Sequence, residues 1–157
     1  MLPARSALAL PLVLLAACGD DPAPIPAALP YADPGFVAAG EHRLHYALIM
    51  TRDLASEIAG SYGIVPRRNL ALLTITLTSR NTDGARLAAS ELAATSVLLT
   101  GQRQALALSR HDEAGGPSYL ATVEVRPRVP VTIEIRARAT PEGPEMTART
   151  MREFHFE

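Results

Sequence analysis

The chain has 157 residues and no repeat array, a length suited to one domain. Its 15 basic side chains face 16 carboxylates for a formal net charge of -1, and every base is arginine, which excludes lysine Schiff-base and P-loop chemistry. The sequence holds no arginine cluster to serve as a basic stripe for nucleic acid, and with three Phe, four Tyr and no Trp its core must be largely aliphatic.

The first residues, Met1 to Arg5, carry a single positive charge. Ala7 to Ala17 is mostly apolar around Pro11, and Cys18 is followed by Gly19-Asp20-Asp21. This run is too short for a hydrocarbon core that needs roughly 20 apolar residues, but it suits the h-region of an export signal. Leu15-Ala16-Ala17-Cys18 resembles the bacterial lipobox, in which small residues precede a cysteine that receives a diacylglyceryl thioether and becomes the new N-terminus. The resemblance implies cleavage of residues 1–17, lipidation of Cys18 and a membrane partner held through that anchor. Two or more acyl chains hold firmly because each buried methylene contributes about 0.8 kcal/mol. Glycine rather than aspartate follows the cysteine, so the expected address is the periplasmic face of the outer membrane, with the periplasmic face of the inner membrane as the alternative. As the sole cysteine, Cys18 forms no intrachain disulfide.

Pro22, Pro24, Pro26, Pro30 and Pro34 favour extended or irregular backbone and mark residues 18–38 as a tether. The folded domain is expected over 39–157. Within it the dominant period is two. A strand is expected over Arg43 to Met50, and a short helix over Asp53 to Tyr62, capped by Thr51 or Asp53 and stopped by Gly63. This helix is expected to plug an open edge or end. In Leu70 to Ser79, the residues Ala71, Leu73, Ile75 and Leu77 oppose Thr74, Thr76 and Thr78, as in a strand with one buried face. Further strands are expected over Leu92 to Leu99, Gln102 to Ser109, Tyr119 to Arg126, Val131 to Arg138 and Met146 to Phe156. Asp83-Gly84, Gly101-Gln102, Gly115-Gly116-Pro117 and Pro141-Glu142-Gly143-Pro144 supply the turns. About seven antiparallel strands and one short helix point to a mainly β fold, an immunoglobulin-like or transthyretin-like antiparallel β-sandwich, with a small barrel as the alternative.

From Glu41 onward the chain resembles a bacterial family of small exported proteins designated domain of unknown function 4426. The resemblance is carried by His45-Tyr46, Leu54, Ile58-Ala59, Tyr62-Gly63-Ile64, Arg68-Asn69, Gly101-Gln102 and Phe154-His155-Phe156. It implies a compact sandwich-like domain and brings no activity or cofactor with it.

The residues suggest little chemistry. His42 and His45 fall on opposite sides of a strand, and only a cross-sheet meeting of His45 with His155 would begin a metal site. Gly60-Ser61 is followed by Tyr62-Gly63, without the full Gly-x-Ser-x-Gly pattern of a nucleophile elbow. Carboxylates such as Glu124 and Glu134 lie on polar strand faces. We therefore expect no catalytic, cofactor or metal site and no enzyme activity. Tyr62, Arg67, Arg68 and Asn69, joining helix to strand, form the candidate partner contact, because arginine offers a rigid donor fork to carboxylates and other anions. The expected role is a binding, accessory or structural one in the envelope, toward an envelope protein or cell-wall component and not nucleic acid. The alternative is a small periplasmic enzyme, hydrolase-like or metal-dependent, with a dispersed site.

Overall fold

Alternation along the strands sorts side chains onto two faces, and burying the apolar faces against each other gives two layers. The computed structural model describes residues 35–157. One layer contains β1 (Phe36–Ala39), β2 (His42–Met50), β3 (Leu70–Ser79), β4 (Arg86–Leu87), β7 (Ser109–Glu113) and β8 (Gly116–Glu124). Its order is β1-β2-β3-β8-β7, with β4 also paired to β3. The other contains β5 (Glu91–Val97), β6 (Arg103–Ala105), β9 (Val131–Arg138) and β10 (Met146–Arg152), in the order β10-β9-β5-β6. Every pairing between these strands is antiparallel. This is the expected mainly β sandwich. Leu44, Leu73, Ile75 and Leu77 of the larger sheet belong to one core cluster with Ile133, Ile135 and Met146 of the smaller. The core is aliphatic, as the composition requires.

Several elements differ from the expectation. The first strand begins at Phe36, ahead of the residue 39 taken from composition, because Val37 and Ala39 pack against the core while β1 pairs with β2. The stretch Gln102 to Ser109 is two strands and not one. β6 pairs with β5 in the smaller sheet, then Leu106 and Leu108 cross against the core, and β7 pairs with β8 in the larger. A continuous alternation conceals that change of partner.

The helical region is also shorter. A 3-10 turn at Thr51–Asp53 precedes α1 (Ser56–Ser61), whose N-cap is Ala55 with no side-chain cap bond. Thr51 is not a cap: it is fully buried, and its Oγ1 bonds across to Arg67 and Leu70. Gly63 closes the helix as expected. At φ +64 it permits a Schellman ending, in which the Ile64 N–H donates to the Ala59 carbonyl at 2.8 Å and the Gly63 N–H donates to the Gly60 carbonyl at 3.1 Å. By parity Leu72 and Leu120 point away from the core, yet both are buried, as is Ala59, and none of the three belongs to the core cluster. The α1 segment therefore covers part of the outer side of the larger sheet. Among the described residues no helix is long and apolar enough to cross a membrane.

Candidate functional site

The outer side of the larger sheet carries the richest polar arrangement. Thr74, Thr76 and Thr78 run along β3, His45 lies opposite Thr76, and both Arg43 and Arg86 lie opposite Thr78. Across β8, His111 pairs with Ser118, so these two share the same side. Ser118 is 2% exposed. It therefore needs a partner, and Arg86 Nη1 donates to its Oγ at 2.7 Å.

Arg86 also donates to Glu113 Oε2 at 2.5 Å, and the Tyr62 hydroxyl donates to Glu113 Oε1 at 2.9 Å. The edge of the Tyr62 ring meets the His111 ring, with centroids 5.3 Å apart and planes at 69°. Three stretches distant in the chain, the helix ending, β4 and the β7–β8 hairpin, thus share one bonded network. The helix ending places Tyr62. Close approach of β4 to the β7–β8 turn places Arg86, whose N–H donates to the Gly115 carbonyl at 2.9 Å. The network sets its own proton affinities. Hydrogen bonds from Arg86 and then Tyr62 hold the Glu113 carboxyl below the usual range, while burial and then the bond to Glu113 push the Tyr62 phenol up.

A second grouping lies toward β1. The Phe36 and His45 ring centroids are 5.8 Å apart, Arg43 stands over the Phe36 ring at 5.8 Å, and His45 Nε2 is 3.1 Å from Thr78 Oγ1. Burial and then the nearby Arg43 cation lower the His45 pKa. The imidazole is thereby biased toward its neutral form.

The four residues expected as one contact do not stay together. Tyr62 joins Glu113 and His111. Arg67 contributes its backbone to Thr51, Arg68 Nη1 donates to the Glu157 carbonyl at 3.1 Å, and the Asn69 carbonyl accepts from the Val125 N–H at 2.9 Å. The last three belong to loops at one end of the sandwich. Cys18 lies outside the described residues. His45 and His155 have separate neighbours, since His155 Nε2 is 3.2 Å from Glu153 Oε1. Sequence reasoning missed Arg86, His111, Glu113 and Ser118. Shared parity links His111 with Glu113 on a strand, but nothing in the sequence joins Arg86 to them before β4 is known.

These features define a small antiparallel β-sandwich domain with a bonded polar network on the open side of its larger sheet. The chain belongs to the family described as Domain of unknown function (DUF4426), whose model matches residues 37–157. A crystal structure of a DUF4426 family protein from Pseudomonas aeruginosa is similar at 20% identity and a TM-score of 0.64, covering 78% of this chain and 94% of that one. FetP from uropathogenic Escherichia coli, crystallised as isolated after recombinant expression in the periplasm, is similar at 12% identity and a TM-score of 0.50, covering 75% of this chain and 92% of that one. Both likenesses are of fold. No curated protein matches the chain.

Proposed function

We propose that the chain is a lipid-anchored, non-catalytic binding module of the bacterial envelope, held by acylated Cys18 at the periplasmic face of the outer membrane. The anchoring part is supported by Leu15-Ala16-Ala17-Cys18 at the end of a short apolar run, ahead of a proline-rich stretch. The periplasmic expression of FetP, a protein of similar fold, fits that compartment. The observation that carries the binding part is the exposed Tyr62–Glu113–Arg86 network, rooted on buried Ser118. Its side chains are fixed by one another before a partner arrives, so less side-chain entropy is lost on contact. Arginine and imidazole donors beside a half-buried tyrosine suit a carboxylate-bearing envelope protein or cell-wall peptide.

His45 Nε2 bonds Thr78, and the Ser118 Oγ accepts from Arg86, so each already has a structural partner. That favours contact over chemistry as the use of this face.

Two measurements test the reading. Intact mass and membrane fractionation of the native chain should show acylation, lost in Cys18→Ala; a native chain cut elsewhere and unacylated would end the anchor. Photo-crosslinking from Asp112 in the anchored protein should capture one envelope component. Tyr62→Ala with Arg86→Ala should abolish that capture, while Arg136→Ala, on the other sheet, should preserve it. Equal capture by all three proteins would remove the network from the contact.

A further inference from the structure

We infer that one end of the sandwich is a docking surface for the headgroups of an anionic phospholipid bilayer. This end collects the loop after α1, the β5–β6 turn, the β8–β9 connection and the segment after β10. Their adjacency is fixed by bonds: the Val125 N–H donates to the Asn69 carbonyl, Arg128 to that of Phe154, and Arg68 to that of Glu157. Val97, just before the β5–β6 turn, is paired with Thr132 at the start of β9.

Five of the eight exposed large apolar side chains among the described residues lie at this end: Val65, Leu98, Leu99, Val129 and Met151. Leu99 at the hairpin tip is 71% exposed and Val65 69%. Val65, Leu98, Leu99 and Val129 sit in three loops and Met151 near the end of β10, so this one end gathers most of the exposed apolar bulk.

Arginines outnumber carboxylates here: Arg52, Arg67, Arg68, Arg126, Arg128 and Arg152 share this end with Asp53, Glu124, Glu153 and Glu157. Arg86 and Arg138, toward the opposite end, are paired with carboxylates. Among the described residues Arg67, Arg126, Arg128 and Arg152 have no carboxylate partner, although all four are exposed. Arg128 is held at φ +59, a left-handed conformation that a β-turn ordinarily gives to glycine, with the Val129 N–H returning to the Arg126 carbonyl at 3.3 Å. The turn thus projects two arginines from its rim at a cost in backbone strain. Unpaired guanidinium forks beside exposed aliphatic tips match headgroup phosphates lying over acyl chains.

The direction of β1 agrees. It runs antiparallel to β2, which ends at Met50 on this side, so the chain enters the sandwich travelling away from this end. Each arginine near an anionic surface changes partitioning by about fivefold. The inference rests on the anchored reading for its approach to a bilayer, and on this end itself for the contact.

The test places an environment-sensitive fluorophore at Leu99→Cys, and separately at Glu142→Cys toward the opposite end, in the acylated full chain. The proteins are reconstituted in phosphatidylcholine vesicles with or without phosphatidylglycerol, both doped with brominated lipid. Quenching at position 99 but not 142, only with phosphatidylglycerol, is expected. It should be lost in Arg126→Glu with Arg128→Glu, and independently in Arg67→Glu with Arg152→Glu, while far-UV circular dichroism is unchanged. Equal, unquenched signals at both positions in a chain that is acylated and floats with vesicles would overturn the docking surface while leaving the anchor intact. If the chain is unacylated, the anchor fails and the label reports binding from solution. Quenching at position 99 with phosphatidylglycerol then still supports the surface, and its absence overturns it.

Discussion

Thr51→Val removes one hydroxyl and almost no volume, at a residue that is 0% exposed. Thr51 Oγ1 lies 3.0 Å from the carbonyls of both Arg67 and Leu70 and accepts from the Arg67 N–H at 2.9 Å. The single hydroxyl proton serves one carbonyl at a time, so the lost bonds are one donated and one accepted. A lost bond costs about 1 kcal/mol, and a stranded N–H adds about 1 to 3 kcal/mol. The total is about 2 to 4 kcal/mol, which lowers Tm by roughly 8 to 15 °C in a domain of this size. Thr51→Ser keeps the oxygen and loses one methyl, for about 1 kcal/mol. Urea and thermal denaturation followed by far-UV circular dichroism should therefore order the proteins wild type, serine, valine. If valine lies within about 0.5 kcal/mol of wild type, or above serine, the hydroxyl does not pin the 62–69 loop and the reasoning fails.

Gly116 has φ +105, and a Cβ there would lie 2.5 Å from the Arg86 carbonyl oxygen, so Gly116→Ala should cost about 2 to 3 kcal/mol in urea denaturation. It should also loosen Tyr62, measurable as a change in its ring chemical shifts. Stability should fall on acidification: His45 has a folded pKa below its ordinary 6.5 and Glu113 one below its ordinary 4.5, so in both cases the unfolded chain binds more protons over the intervening pH range. The His45 contribution is lost as pH drops from about 6.5 through the lowered folded value, and that of Glu113 follows from about 4.5 downward. His45→Asn should flatten only the upper step in a urea series run at successive pH values. Arg128→Gly relieves about 1 kcal/mol of left-handed strain and returns a similar amount as unfolded-state entropy. Its Tm should not fall, while vesicle quenching at Leu99→Cys weakens.

The layers were legible because period-two alternation states directly which side of a strand is buried. Ala71, Leu73, Ile75 and Leu77 lie inward, and Val131, Ile133, Ile135 and Ala137 face them. β4 was not legible, since two residues carry no period, and its place beside β3 depends on the bend through Arg80–Thr82 and on Gly116 leaving room. Thr51 illustrates a second limit. A threonine before an apolar repeat has the pattern of a cap, and only the return of the chain at Arg67 shows that its hydroxyl bonds across and not forward. The Tyr62–Glu113–Arg86–Ser118 set combines both difficulties, because Tyr62 and Arg86 are far in sequence from each other and from the β7–β8 hairpin, and are brought to it by a helix ending and a two-residue strand.

In a chain without lysine, every cation has the same fork geometry, so what separates the arginines is where the fold leaves them. Arg86, Arg103, Arg110 and Arg138 meet carboxylates, but exposed ion pairs of this kind contribute about 0 to 1 kcal/mol each. Stability alone is a weak reason for them. Fixing the orientation of neighbouring polar groups is a better one, and Arg86 does this for Glu113 and Ser118 together. Arg67, Arg126, Arg128 and Arg152 are spread over 86 positions of sequence and form no cluster there, yet the turns at β3, β9 and the end of β10 bring them to one end beside exposed aliphatic tips. An absent basic stripe in the sequence is therefore compatible with an end of the fold where arginines outnumber carboxylates. The two surfaces would divide the work: the unpaired arginines at the end meet phosphate, and the paired ones on the larger sheet leave a rigid face open to a partner.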